Sequence, residues 1–150
     1  MADNNSAQYF DYHHTVTFTD TNSTGNVYFA SFFQWMGKCR EILTEQHYPE
    51  LVKDLEQGFG FATEFAHIDY IKDCFLFEHI TVRLYIADFS KIRIEFRFEF
   101  INEKDSSLCA TGKQAVVWVN SQHRPSLMPD KLYESAVEYF NIKEQKEGLV

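Results

Sequence analysis

Glycine and proline are scarce in this sequence, with 6 Gly and 3 Pro among 150 residues. None of the glycines forms GxGxxG or GxxxxGK, so the chain has no phosphate-cradling loop of the nucleotide-binding kind. CxxC and HExxH are also missing, and no metal site is expected. His13 and His14 are adjacent, and a strand would send them to opposite faces. No GxSxG elbow presents a serine nucleophile. Basic residues are in deficit, since 14 Lys and Arg against 22 Asp and Glu leave a formal charge of −8. Such a chain is repelled by nucleic acid and by an anionic membrane surface. No run approaches the ~20 apolar residues of a membrane span. The polar start MADNNSAQ has no apolar signal region. The three cysteines, Cys39, Cys74 and Cys109, cannot all pair within one chain. Free thiols and a cytoplasmic location are the expectation.

Rings, by contrast, are abundant. Aromatics make up 17% of the chain, with 15 Phe and 8 Tyr, enough to fill a core and still line an apolar channel or a subunit contact. The length suits one domain. We expect that domain over 9–142, between a polar tail at 1–8 and a charged tail at 143–150.

Periodicity orders the elements. Tyr12 to Phe18 alternates as a first strand. The run TDTNSTGN then breaks the pattern with turn and cap formers. From Val27 to Gln46 the apolar residues Phe29, Phe32, Phe33, Met36 and Leu43 recur at steps of three and four. This predicts one helix roughly 30 Å long. The loop HYPELVKDLEQGFG follows, with room for one helical turn. Strands are then predicted at Thr63–Lys72, Ile80–Ala87, Ile92–Ile101 and Leu108–Val119, and a short helix from Pro129 and Asp130. In Ile92–Ile101 the apolar residues Ile92, Ile94, Phe96, Phe98 and Phe100 share one face, and Arg93, Glu95, Arg97 and Glu99 the other. One strand, one long helix and then a run of antiparallel strands is an α+β pattern, with a curved sheet wrapping the helix. The absence of βαβ alternation excludes a Rossmann fold or a TIM barrel.

Chemistry concentrates in Thr19–Glu41. Gly25 allows a positive φ where the turn enters the helix. Free N–H groups near Val27 to Phe29 would then point out beside Asn22, where a developing oxyanion is favoured. A plain capped helix is the structural alternative. Arg40 lies near the apolar stripe, so its guanidinium must be paired or face a wet pocket. A salt bridge to Asp20, Glu64 or Asp69 is the competing expectation, and Gly37 leaves open space beside it.

The run N-x-x-G-N-V-Y-F at Asn22–Phe29, continuing to W-x-G-x-C-R-E at Trp35–Glu41, resembles the hotdog-fold thioesterases of the 4-hydroxybenzoyl-CoA thioesterase type. Within them it is most similar to the thioesterases of enediyne polyketide clusters. That resemblance implies a hotdog fold and hydrolysis of an acyl thioester without a cofactor. The implied substrate is a polyunsaturated β-keto chain on the carrier protein of an iterative polyketide synthase. It also implies Asn22 and Arg40 as the catalytic pair, with Gly25, Tyr28, Phe32 and Thr63 as substrate-binding residues. Phe32 stands where a relative can carry Tyr. Many relatives have an aspartate at the position of Asn22, and an amide cannot replace it as nucleophile or base. Catalysis would then rest on positioning and charge stabilisation, with Glu64 from across a subunit boundary as a rival base.

The resemblance further implies a homodimer or homotetramer with sites between subunits. Lys91, Arg93 and Arg97, or else Lys38, would receive the carrier protein. A general acyl-CoA thioesterase and a non-catalytic acyl-binding protein are the alternatives.

Overall fold

The computed structural model describes residues 8–143. Apart from residues 8 and 143, the expected terminal tails lie outside the described residues. The chain runs through β1 (Phe10–Thr15), a 3-10 turn (Phe18–Asp20), α1 (Ser31–His47), α2 (Leu51–Glu56), β2 (Gly60–Tyr70), β3 (His79–Phe89), β4 (Arg93–Asn102), β5 (Leu108–Val119) and α3 (Asp130–Phe140). The five strands form one antiparallel sheet in the order β1-β3-β4-β5-β2, so β1 and β2 are its edges.

The sheet's inner face is built by the alternation read from the sequence. Ile94, Phe96, Phe98 and Phe100 of β4 are buried, flanked by Ile80, Val82 and Leu84 of β3 and by Ala110, Val116 and Trp118 of β5. Each large side chain fully buried here is worth ~1.5–3 kcal/mol. Ile92 is the exception, half-exposed because the strand begins only at Arg93.

Helix α1 lies across this face, burying Phe32, Trp35, Met36, Cys39 and Leu43. Gly112 of β5 permits its close approach, since a methyl group there would sit 2.7 Å from Met36 Cε. On the other flank the Cys39 thiol donates to the Val82 carbonyl at 3.6 Å. Helix α3 closes one end of the layer with Leu132 and Phe140, and stops at Asn141, which takes the left-handed conformation at φ 54°.

The long helix begins at Ser31, four residues later than its periodicity predicts. Residues 26–28 are held extended by their neighbours instead. Val27 N–H donates to Cys74 O at 2.8 Å, Tyr28 N–H donates to Asp20 O at 2.9 Å, and Asn26 bridges Phe75. These backbone bonds are unavailable to a helix, and tertiary pairing overrides local spacing. Strand β1 likewise ends at Thr15, before the completely buried Val16. β2 starts at Gly60, three residues before the expected Thr63.

Candidate functional site

The segment between the 3-10 turn and α1 is a tight loop closed on itself. Asn22 N–H donates to Asn26 O at 2.8 Å, and Gly25 N–H returns to Asn22 O at 2.9 Å. Gly25 sits at φ +88°, a conformation that L side chains rarely adopt. The main chain of Asn22 is therefore fixed. Its carboxamide is exposed and makes no hydrogen bond among the described residues.

Asp20 anchors this loop. It is 5% exposed, and its carboxylate accepts from Thr17 N–H at 2.9 Å, from His14 Nε2 at 2.9 Å and from Trp35 Nε1–H at 3.1 Å. Its carbonyl accepts the Ser31 hydroxyl at 2.8 Å as well as Tyr28 N–H. Burial works against the Asp20 charge, but the Thr17, His14 and Trp35 donors outweigh it and hold the carboxyl below its ordinary value. In the sequence Asp20 stands out as a turn former and as a candidate partner for Arg40. Its actual donors, six residues before and fifteen after, leave no local signature in the chain.

The head of α1 supplies open donors, although not the expected ones. The N–H groups of Val27 and Tyr28 are consumed by Cys74 and Asp20, whereas those of Phe29, Ala30 and Phe32 find no acceptor among the described residues. They carry the positive end of a 17-residue helix. Tyr28 and Phe29 are exposed beside them, ring centroids 4.7 Å apart. Phe32 instead belongs to the core: it is buried among Trp35, Tyr70 and Phe100, and any contact with substrate would need that cluster to open.

Arg40 occupies a different place. It lies nine residues into α1 beyond Ser31, roughly 13–14 Å along the helix axis. Within one chain it therefore does not meet Asn22. None of its expected partners reaches it. Asp20 is satisfied as above, Glu64 pairs with Arg93 at 2.7 Å, and Asp69 pairs with His67 at 3.1 Å. Its nearest carboxylate is Glu41, 3.9 Å from Nη2, while Nη1 is buried without a hydrogen-bond partner. Burial lowers the basicity of the guanidinium, and Glu41 only partly offsets this. The group borders a cavity of about 50 Å³ whose walls include Leu43, Phe61, Phe96, Ala136 and Phe140. The lining is apolar apart from a few groups, and α3 forms its far side.

Thr63 is exposed on β2 at a bulge in which Thr63 faces Val116 and Phe65 faces Ala115, leaving Glu64 as the extra residue. Glu64 is held by Arg93, which is also 3.2 Å from Glu95. From Ala62 to His67 the strand is exposed, and its outer edge has no neighbour among the described residues. No helix among the described residues is long and apolar enough to cross a membrane.

Residues 16–135 match the family model of the thioesterase-like superfamily. Among solved structures, the chain is similar to the dynemicin thioesterase, whose crystal structures describe polyene binding. The two share 29% identity and a TM-score of 0.81 over 87% of this chain and 96% of that one. A Staphylococcus aureus protein solved with CoA aligns at 18% identity and a TM-score of 0.83, covering 97% of this chain and 95% of its own. A 1,4-dihydroxy-2-naphthoyl-CoA thioesterase from Synechocystis aligns at 22% identity and a TM-score of 0.79, covering 85% and 94%. No curated protein matches.

Proposed function

The chain belongs to the thioesterase-like superfamily and is an acyl thioesterase of hotdog fold, and from that premise we propose that it releases a polyunsaturated β-keto acyl chain from a polyketide synthase carrier protein. The dynemicin thioesterase, whose crystal structures describe polyene binding, supports this substrate class. The apolar cavity behind Arg40 is the space for the end of such a chain. Acyl chains on CoA are the competing substrates, and direct comparison separates the two.

The observation that carries the mechanism is the course of β2. At one end the Tyr70 hydroxyl donates to Phe29 O at 2.6 Å, beside the Asn22 loop and the open N–H groups of α1. At the other end Phe61 borders the Arg40 cavity. If two copies pair β2 with β2 in antiparallel fashion, the Tyr70 end of one protomer lies against the Phe61 end of the other. The exposed edge from Ala62 to His67 is free for that pairing, and bare edges of this kind are normally covered.

The site is thus composite. Phe29 and Ala30 N–H of one protomer hold the thioester carbonyl oxygen, Asn22 orients the reacting group, and Arg40 of the partner subunit steadies the developing negative charge. No carboxylate takes part, so the rate gain comes from positioning and from charge stabilisation away from bulk water. Glu64 remains bound to Arg93 and serves structure. A β-keto acid released in this way loses CO₂ without further help.

The test is mass spectrometry of what leaves an acyl-loaded carrier protein, run beside the matching acyl-CoA. Faster release of acid or its decarboxylated ketone from the carrier protein supports the reading. Faster turnover of the CoA ester overturns it.

A further inference from the structure

Among the described residues three buried side-chain atoms lack a hydrogen-bond partner: Arg40 Nη1, Gln114 Oε1 and Glu50 Oε1. Glu50 belongs to a carboxylate already paired with Lys131 through its other oxygen. The remaining two are complementary, a cationic donor and a neutral acceptor. Buried polar atoms are normally satisfied, and leaving one unmade costs ~1–3 kcal/mol. Two such atoms on facing elements therefore need a common explanation.

Their placement follows from register. Met36 of α1 rests over Gly112 of β5. Arg40 is one helical turn beyond Met36, and Gln114 is two residues beyond Gly112 on the same face of its strand. The two elements advance in the same direction: Leu43, further along α1, shares the cavity with Ile94, which pairs with Val116, further along β5. Gln114 also stands directly opposite Phe96 on the neighbouring strand, and Phe96 borders the cavity with Arg40. Gln114 is 7% exposed as a residue, its Oε1 is buried, and by register it sits between Phe96 of β4 and Ala66 of β2, on the sheet face that carries α1. Arg40 and Gln114 do not bond to each other.

We infer that Gln114 is a further catalytic residue, whose Oε1 accepts a hydrogen bond from the attacking water while Arg40 Nη1 of the same chain donates to the thioester oxygen. A site without a carboxylate base still needs an acceptor to aim the water, and a buried amide oxygen with no other obligation supplies one. The water oxygen forms the new C–O bond, and collapse of the tetrahedral intermediate breaks the C–S bond. One water hydrogen ends on the leaving sulfur as thiol. The other stays with the new carboxyl group and ionises to solvent. The inference rests on Arg40 belonging to the thioesterase site as proposed above.

The experiment compares Gln114→Leu, Gln114→Glu and Arg40→Ala in the full chain, using acyl-loaded carrier protein, with thermal unfolding alongside. Gln114→Leu keeps the shape and removes the acceptor. It should lower kcat ~10²-fold, the cost of a misplaced reactant, with KM little changed, and without lowering Tm, because an unsatisfied buried atom has been deleted. Gln114→Glu retains an acceptor and should keep most of the turnover, with a new loss of rate on the acid side as the introduced carboxylate takes up a proton. Wild-type kcat in Gln114→Leu overturns the assignment, as does a Gln114→Glu variant that folds but is inactive. If Arg40→Ala is also as active as the wild type, the site reading itself fails. If Arg40→Ala is impaired and Gln114→Leu is not, only the role of Gln114 is lost.

Discussion

Tyr70 and Phe29 are joined by a short hydrogen bond, 2.6 Å from the phenol to the main-chain oxygen, that ties the last residue of β2 to the head of α1. The sheet edge is thereby fastened to the loop that carries Asn22. Tyr70→Phe should leave the fold intact at a cost of ~1 kcal/mol. It should raise KM more than it lowers kcat, because the donors of α1 lose a fixed distance from the strand. Denaturant unfolding and steady-state kinetics on the same preparation check both parts.

Asp20 makes an acid-dependent contribution. Its folded-state carboxyl is held below the ordinary value, so the stabilisation is fully present above the unfolded pKa. It is lost as pH falls through the folded value. Unfolding measured from neutral pH down to ~2 should show this component in the wild type. Asp20→Asn should be less stable at neutral pH, and the gap between the two proteins should narrow in acid. A constant gap would remove Asp20 as its source.

Ala136 offers a test of where the acyl chain lies. It is one of the small residues on the α3 wall of the cavity behind Arg40. Ala136→Phe fills a space of about 50 Å³ from its far side. The variant should turn over short acyl thioesters at close to the normal rate and long ones at least ~10-fold more slowly. Equal losses on both would place the chain elsewhere.

The sequence was most legible where one requirement dominated. β4 declares itself through strict alternation from Ile94 to Phe100, and α1 through its apolar stripe, because burial of one face decides both. Residues 27–30 depart from their helical spacing for a physical reason. Val27 and Tyr28 have the spacing of a helix, but their N–H groups are claimed by Cys74 and Asp20, and Cys74 lies 47 residues away in the chain. Arg40 stands out in the sequence as a charge beside the apolar stripe, whereas Asn22, an ordinary turn former, is singled out by the family resemblance alone. Their separation could not be foreseen, because the distance between a turn and the middle of a helix depends on where that helix starts. Gln114 carries no signal in the sequence. In the sequence it is one polar residue within a strand, and only the partner atoms it lacks set it apart.

The composite site makes one claim that a single measurement can decide. Asn22→Ala and Arg40→Ala should each fold, since the Asn22 amide is exposed and the Arg40 guanidinium has no buried partner to abandon. Each alone should lose ~10²-fold in hydrolysis. Equimolar subunits of the two variants, refolded together and checked for mixed dimers, should regain about a quarter of the wild-type rate, because a mixed dimer rebuilds one complete site. If mixed dimers form and the rate stays at the level of the parents, Asn22 and Arg40 do not act across a subunit boundary and the proposed mechanism is wrong.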